Sequence, residues 1–522
     1  MIKEIEIGVS SEFASNPDAL KNSIAQTLGL TQDEFTYKIC RRSIDARGKN
    51  PLIRYKCQVF ISEPEPVDID FNPQWQSVHQ KKRVIIVGAG PAGYFAALQC
   101  LSLGLKPVIV DRGKDVRARR RDLKAIQQYG IVDADSNYCF GEGGAGTYSD
   151  GKLYTRSHKR GSIENILQLL VKHGANPDIL IDAHPHIGSN KLPQIVSNLR
   201  NTIVSFGGEV HFEERVIDFI KKEEKIVGVI SHNEKAWEGD AVILATGHSA
   251  RDIYYLLARH HILIEQKPFA LGVRIEHPQP LIDKIQYGKE IRPESLPASS
   301  YKLVTQVENR GVFSFCMCPG GLIVPASTAP GEIVINGMSM SRRDSPFANA
   351  GTVVAIEPED LKQYRERGVF AGLAFQQEVE QKMFSVTNGT QKAPAQRLTD
   401  FLNGKWSDNL PKSSYIPGFT PSSLHTLLPD FIYRRLKKGV QDFGKKMNGY
   451  YTSEAVVVAI ESRTSSPIRI PRDSKTWMHP HCEGLFPCGE GAGYAGGILS
   501  AAMDGQNVAR AIFNYLNKNE GL

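Results

Sequence analysis

VIIVGAGPAG, residues 84–93, runs four apolar residues straight into Gly88, Gly90 and Gly93, with Pro91 and Ala92 between the last two glycines. In this spacing one glycine permits the tight turn, one lets the backbone approach a pyrophosphate, and one lets helix and strand pack closely. The following helix offers its N-terminal amides to phosphate. G-x-G-x-x-G alone is a weak signal, so its flanks carry the weight. YFAALQCLSLG reads as a helix closing at Gly104, and KPVIVD as a second buried strand ending in Asp111. That acid stands where a carboxylate accepts both ribose hydroxyls of an adenosine and repels a 2′-phosphate, although adjacent Arg112 works against the repulsion. The βαβ unit therefore predicts an adenine dinucleotide and leaves NAD and FAD tied.

The other end of the chain separates them. In PCGEGAGYAGGI, residues 487–498, a short strand ends at Gly489-Glu490, a glycine-rich passage reaches Gly497, and a helix starts near Ile498. A one-fingerprint NAD dehydrogenase has no use for this element. FAD does: an acid can hydrogen-bond the ribityl chain, and a helix N-terminus stabilises the negative charge of reduced flavin. The expected cofactor is FAD, with the two motifs at the two ends of one sheet.

The 522 residues predict about three domains at ~150 residues each. A net charge of +7 is too small to imply nucleic acid unless it is concentrated. Eight cysteines are few for this length, the N-terminus lacks the apolar core of a signal peptide, and no stretch approaches ~18 apolar residues, so a cytoplasmic protein without a transmembrane segment is expected.

The expected fold is α/β: a three-layer, Rossmann-like FAD-binding domain with an inserted α+β substrate domain and a small N-terminal α+β module. Residues 1–75 form the module and a proline- and acid-rich linker, 76–265 the first part of the FAD domain, 266–450 the inserted domain, with helices from 359 to 402, and 451–522 the C-terminal part. EVHFEERVIDFI, from 209, reads as one strand, and Val216 is expected near the adenine edge. GDAVILATG ends in Ala245-Thr246-Gly247, small enough to pass close to a dinucleotide. In the module, Lys38, Arg41, Arg42, Arg47, Lys49, Arg54 and Lys56 form either a docking surface for an acidic partner or RNA, or a solvated face.

CFGEGGAGTYSDGKLYTR, residues 139–156, follows no strand, so it is either a plain surface loop or a flexible backbone laid over the cofactor through Glu142, Gly143 and Gly144, with Ser149 and Lys152 also placed for a specific task. His184 and His186 in HPHIG are candidates for proton transfer, His186 foremost, the alternative being a merely structural histidine. In ESRTSSPIRI, residues 461–470, Arg463 either clamps a substrate carboxylate or stabilises reduced flavin, or the segment holds only an ion pair of Glu461 with an arginine. Cys316 and Cys318 in CMCPGG are either redox-active or buried small residues, and His479, His481 and Cys482 complete no four-ligand metal set.

Taken together, the fingerprint with Asp111-Arg112-Gly113, FGEGGAGTYSDGKLYTR, PHIGSNKLP, VILATGHSARDIY, CMCPGG, ESRTSSPIRI and PCGEGAGYAGGI resemble the bacterial FAD-dependent dehydrogenase family of the NAD(P)/FAD-dependent oxidoreductase superfamily, over nearly the whole chain. The resemblance implies that superfamily's FAD fold with an N-terminal extension and leaves the substrate open. Asp111 stands where Glu is frequent and Glu490 where Asp is frequent; both keep the carboxylate. The expected reaction is hydride transfer between a small substrate, or transient NAD(P)H, and flavin N5, with Lys152, His186 and Arg463 as catalytic residues. The competing readings are a flavoprotein acting on RNA through the basic module and a non-catalytic FAD-binding redox sensor.

Overall fold

The computed structural model describes residues 1–14, 16–48, 50–65, 71–154 and 161–518. Lys49, residues 66–70 of the linker and the end of the 139–156 segment lie outside them.

The N-terminal module follows the expected pattern. Strands Ile2–Ser10, Phe35–Asp45 and Leu52–Ile61 form an antiparallel sheet with Leu52–Ile61 in the middle, covered by helix Pro17–Leu28. Asn16 caps the helix by accepting from the Asp18 amide, and Gly29 ends it in the left-handed conformation. Tyr287 and Leu296 of the inserted domain complete the module's small core. Arg42 ties it to the FAD domain: its amide donates to the Ile181 carbonyl, and its guanidinium reaches Asp182 at 2.7 Å and Asp178 at 3.1 Å. Arg47 and Arg54 turn to Asp45, and Lys56 to Glu4. Among the described residues of the cluster, Arg42, Arg47, Arg54 and Lys56 thus face acids of this chain.

Five parallel strands form the FAD-domain sheet, in the order Leu485–Pro487, Ala241–Leu244, Arg83–Val87, Lys106–Val110, Glu209–His211. Helices cover both faces of such a sheet, so its strands read as continuous apolar runs. The fingerprint strand is central and the C-terminal strand is at an edge, a correction to the expectation that the two motifs occupy opposite ends of the sheet. The predicted single strand from 209 also divides. Glu213 has a φ of 58°, and past this corner Val216–Lys222 leaves the parallel sheet to pair antiparallel with Lys225–Ser231.

The inserted domain is built on seven strands: Val304–Val307, Arg310–Cys318, Phe347–Ile356, Phe269–Pro278, Val456–Glu461, Ala393–Arg397 and Phe419–Pro421, in spatial order. Val456–Glu461 pairs with Phe269–Pro278, so the boundary placed at 451 moves to about residue 465. A six-residue apolar run fits the middle of either sheet equally well, and hydropathy does not say which one recruits it. Ala393–Arg397 is likewise a strand inside the stretch expected to be helical; the helices there are Ala371–Ser385 and Leu398–Asn403, after a 3₁₀ segment, Pro358–Phe370, kinked at Gly368. Among the described residues no helix is long and apolar enough to cross a membrane.

Candidate active site

The parallel sheet, the C-terminal helix and the inserted domain meet around a cavity of about 300 Å³. Its floor is the fingerprint turn. Gly88, at φ 111°, sits so close to the next strand that a Cβ would run into the Ala245 carbonyl, and a Cβ on Gly93 would strike the Gly88 carbonyl. Only glycine permits both approaches. Gly90 and Pro91 then face the cavity at the start of helix Pro91–Ser102.

The C-terminal motif arrives at the same place. The Gly489 amide donates to Asp504 at 2.7 Å, and Asp504 is held by Arg472 at 2.6 Å, which fixes the approach from strand Leu485–Pro487 to helix Ile498–Lys518. Gly505 on that helix lies against the Ala92 carbonyl of the fingerprint helix, with no room for a Cβ. The two helices therefore pack as one unit, and Glu490, Gly497 and Ile498 line the cavity together with Gly88, Gly90, Pro91 and Ala92.

At the far end of the wall stand Asp111, Arg112 and Val216, with Ala245 and Gly247 between the two ends. Asp111 is buried, and its oxygens accept from the Ala89 and Gly113 amides at 2.8 Å each, leaving further acceptor capacity on both. Arg112 lies over the Phe140 ring and pairs with Asp135 and Asp252, so its charge is spent within the protein and not held out for a 2′-phosphate.

Residues of this wall fit an extended dinucleotide on two observations. A Cβ built on Gly247, Gly496 or Gly497 would meet nothing within 4 Å, so the glycine passage borders open volume. In addition Glu214, Arg215, His248 and Ser249 all line the cavity, and each carries a buried polar atom without a hydrogen-bond partner, Arg215 Nε having only a long ion pair with Asp135 at 3.8 Å. Buried polar atoms are nearly always satisfied, so these four represent hydrogen-bonding capacity kept for a ligand. Sequence reasoning missed them; in ATGHSARD the signal is two polar residues directly after the strand-ending glycine. His248 also stands 3.5 Å from Glu490, linking the loop after strand Ala241–Leu244 to the C-terminal motif.

Several expected residues are elsewhere. Glu142 is completely buried behind the wall, accepting from the Tyr94 hydroxyl and the Val116 amide at 2.8 Å and from Arg200 at 3.3 Å. Burial pushes its pKa up, against the pull of the Val116 amide and Arg200. It organises the loop and does not face the cofactor space, because three donors from three elements converge behind the loop. Gly143 is likewise pinned, donating to the Ala89 carbonyl, while Gly144 reaches the cavity. Gly93 and Gly489 support the turn from behind it. Replacing Glu142 by glutamine is expected to cost about 2 kcal/mol of stability and leave flavin affinity unchanged, measured by thermal unfolding and fluorescence titration. A fall in affinity at constant stability would return Glu142 to the cofactor.

His186 is not on the cavity wall: its Nε2 lies 3.1 Å from the Ser341 carbonyl, and burial together with Arg343 lowers its pKa and keeps it neutral. It shares a β-bridge with Lys152, and Lys152 does line the cavity, its ammonium bonded to the Met317 carbonyl and 3.7 Å from Asp150. Arg463 lines the cavity too, but its guanidinium is consumed by Glu380, Glu332 and Thr328. Arg251 joins the same two carboxylates. Two arginines and two glutamates thus form a buried, charge-balanced quartet, and Arg463 has no fork left for a substrate carboxylate. Glu461 pairs with Arg274 at 2.8 Å instead. His479 bonds the Leu263 carbonyl.

This architecture, a Rossmann-like dinucleotide domain closed by its own C-terminal helix and carrying an inserted sheet, is that of a flavoprotein. Residues 82–258 match the pyridine nucleotide-disulphide oxidoreductase family, 268–464 the FAD-dependent protein, C-terminal domain-like family, and 1–60 a domain of unknown function. The second match ends just past strand Val456–Glu461. An uncharacterized protein of Clostridium beijerinckii is 39% identical over 515 residues, covering 95% of this chain and 96% of that protein. Among solved structures, CtdE in complex with FAD is similar over 83% of this chain and 84% of its own, at 11% identity and a TM-score of 0.31. The flavin-dependent brominase Bmp2 is similar over 84% and 80%, at 13% identity and a TM-score of 0.33. The chain belongs to the FAD/NAD(P)-dependent oxidoreductase superfamily and to one family with the Clostridium relative. Its cofactor is FAD, and it is an FAD-dependent oxidoreductase.

Proposed function

We propose that the enzyme is a dehydrogenase or reductase that transfers a hydride between a small organic substrate, or transient NADH or NADPH, and FAD held along this cavity. The observation that carries the reading is that the fingerprint turn, the C-terminal helix start and a loop of the inserted domain line one continuous space. In this reading Asp111 and Val216 hold the adenosine end, Gly90, Gly144 and the helix start at Pro91 receive the pyrophosphate, and Glu490, Gly497 and Ile498 bracket the flavin. Bound there, FAD supplies two-electron chemistry at N5.

The substrate occupies the end lined by Phe315, Asn336, Gly337, Thr464 and Lys152. Lys152 is the residue placed to hold or give up a proton, at Nζ. Asp150 beside it is buried, yet the Lys152 ammonium and the Arg343 guanidinium outweigh that burial and hold its carboxyl below the usual range, so Lys152 keeps an ionised anchor. The arginine quartet acts by position: it joins helix Arg251–Arg259 to the inserted domain and keeps Thr464 on the cavity wall.

Anaerobic mixing of the oxidised holoenzyme with NADH, NADPH and a panel of hydroxy acids, amines and aldehydes tests the reading. One donor is expected to bleach the flavin absorbance, and Lys152→Met to slow the proton-coupled step by roughly 10²-fold or more. A flavin that no donor bleaches would overturn the proposal in favour of a redox-sensing role.

A further inference from the structure

Helix Val116–Tyr129, VRARRRDLKAIQQY, carries five cations and a single acid. Its inward face is Val116, Leu123 and Ile126 together with Arg119, which is completely buried and donates to the carbonyls of Asn137, Tyr138 and Glu142. Asp122 is turned inward as well, accepting from Lys114 and from the Ser136 hydroxyl. The other four cations, Arg117, Arg120, Arg121 and Lys124, stand at the i, i+3, i+4, i+7 spacing of one helix face, and all are exposed.

This stripe differs from the basic cluster of the N-terminal module, where arginines turn to acids of the chain. Arg120 reaches the Tyr148 hydroxyl. The nearest acids in sequence are committed, Asp115 to the helix N-terminal amides and Asp122 to Lys114, and among the described residues none of the four cations is ion-paired. Arg119 pins the helix from beneath, so the stripe is presented in a fixed geometry and little side-chain and backbone ordering is left for a partner to impose.

The end of the helix adds a second feature. It closes on left-handed Gly130, with the Gly130 and Ile131 amides donating to the Ile126 and Ala125 carbonyls. In such a turn the residue after the glycine ordinarily packs back onto the last helical turn. Ile131 instead remains 61% exposed, and Tyr129 before the glycine is 69% exposed. An aromatic and an aliphatic side chain thus stand in water at the end of an unneutralised cationic face.

We propose that this face docks the protein onto a lipid bilayer with anionic headgroups. Arg117, Arg120, Arg121 and Lys124 lie against lipid phosphates, while Tyr129 and Ile131 enter the boundary between headgroups and acyl chains. The cations alone would suit any polyanion, RNA included. The aliphatic side chain beside them decides for lipid, because it gains only by leaving water for an apolar phase. The two parts respond differently to salt: the attraction of the stripe is screened, and the apolar contribution is not.

The test is sedimentation of the holoenzyme with vesicles of phosphatidylcholine alone and of phosphatidylcholine and phosphatidylglycerol in equal parts. Binding is expected to the anionic vesicles only, weakening as salt is raised. Arg117→Gln/Arg121→Gln/Lys124→Gln is expected to bind roughly 10²-fold more weakly, at about fivefold per cation removed. Tyr129→Ser/Ile131→Ser is expected to bind about tenfold more weakly with the salt dependence of wild type. Both variants should keep the flavin absorbance and melting temperature of wild type, since neither touches the cavity wall. Failure to sediment with the anionic vesicles, or sedimentation of either variant equal to wild type, would overturn the proposal. Retention of wild type on tRNA in preference to vesicles, lost in the triple variant, would overturn it in favour of nucleic acid.

Discussion

Gly88→Val is expected to yield protein without bound flavin. The valine Cβ would meet the Ala245 carbonyl, and a β-branched residue would have to adopt a φ of 111°. Relief requires the strand-to-helix turn to move away from strand Ala241–Leu244, which displaces Gly90 and Pro91 from the cavity wall. The absorbance of the purified variant near 450 nm and its melting temperature are both expected to fall. Gly496→Ala separates binding from folding. It has no positive-φ constraint and nothing within 4 Å of its Cβ position, so the methyl enters only the volume kept for the cofactor. Its apoprotein should melt with wild type while FAD binds at least about tenfold more weakly, ~1.4 kcal/mol, by fluorescence titration. A variant at Gly88 that keeps its flavin would contradict the assignment of the turn.

Glu380→Gln is expected to cost about 3–5 kcal/mol of folding stability, because it leaves Arg251 and Arg463 buried with a single carboxylate between them. Chemical denaturation measures this directly. The pH dependence has a defined sign. Burial raises the Glu380 pKa, but the two guanidinium groups and Ser462 overcome it and bring it to about 2, from an ordinary 4.5. Glu380 therefore contributes stability that is fully present above pH 4.5 and is lost as the pH falls toward 2. Glu332 is raised by burial and by the charge of Glu380, so its contribution has the opposite sense: largest at low pH, declining as the pH rises past its ordinary value. In the variant the acid-induced loss should shrink and the Glu332 pKa should come down. Wild-type stability in Glu380→Gln would mean that the quartet does not hold the two domains together.

How much of this was legible in the sequence depends on whether a feature is local. The fingerprint, the strand ending at Asp111, the Ala245-Thr246-Gly247 corner and the C-terminal glycine passage are fixed by steric demands on neighbouring residues, and all of them reach the same cavity except the supporting glycines. Val456–Glu461 was legible as a strand but not as a member of the inserted sheet, since its pairing partner Phe269–Pro278 lies almost two hundred residues away. Glu142 and Arg463 carried the right chemistry for a ligand, yet their partners, Tyr94, Val116 and Arg200 for one, Glu332 and Glu380 for the other, come from distant segments that no spacing rule connects. His248 and Ser249 were missed for the complementary reason: what marks them is the lack of a partner, which only the packed structure reveals.

The central claim is that one FAD is gripped at the same time by the turn at residues 88–93 and by the passage into the C-terminal helix at residues 489–498. Hydrogen exchange of the deflavinated protein, with and without added FAD, measures this amide by amide. Protection is expected to rise in both segments together, at one FAD concentration dependence; protection confined to one segment, or a binding curve that differs between them, would contradict the account.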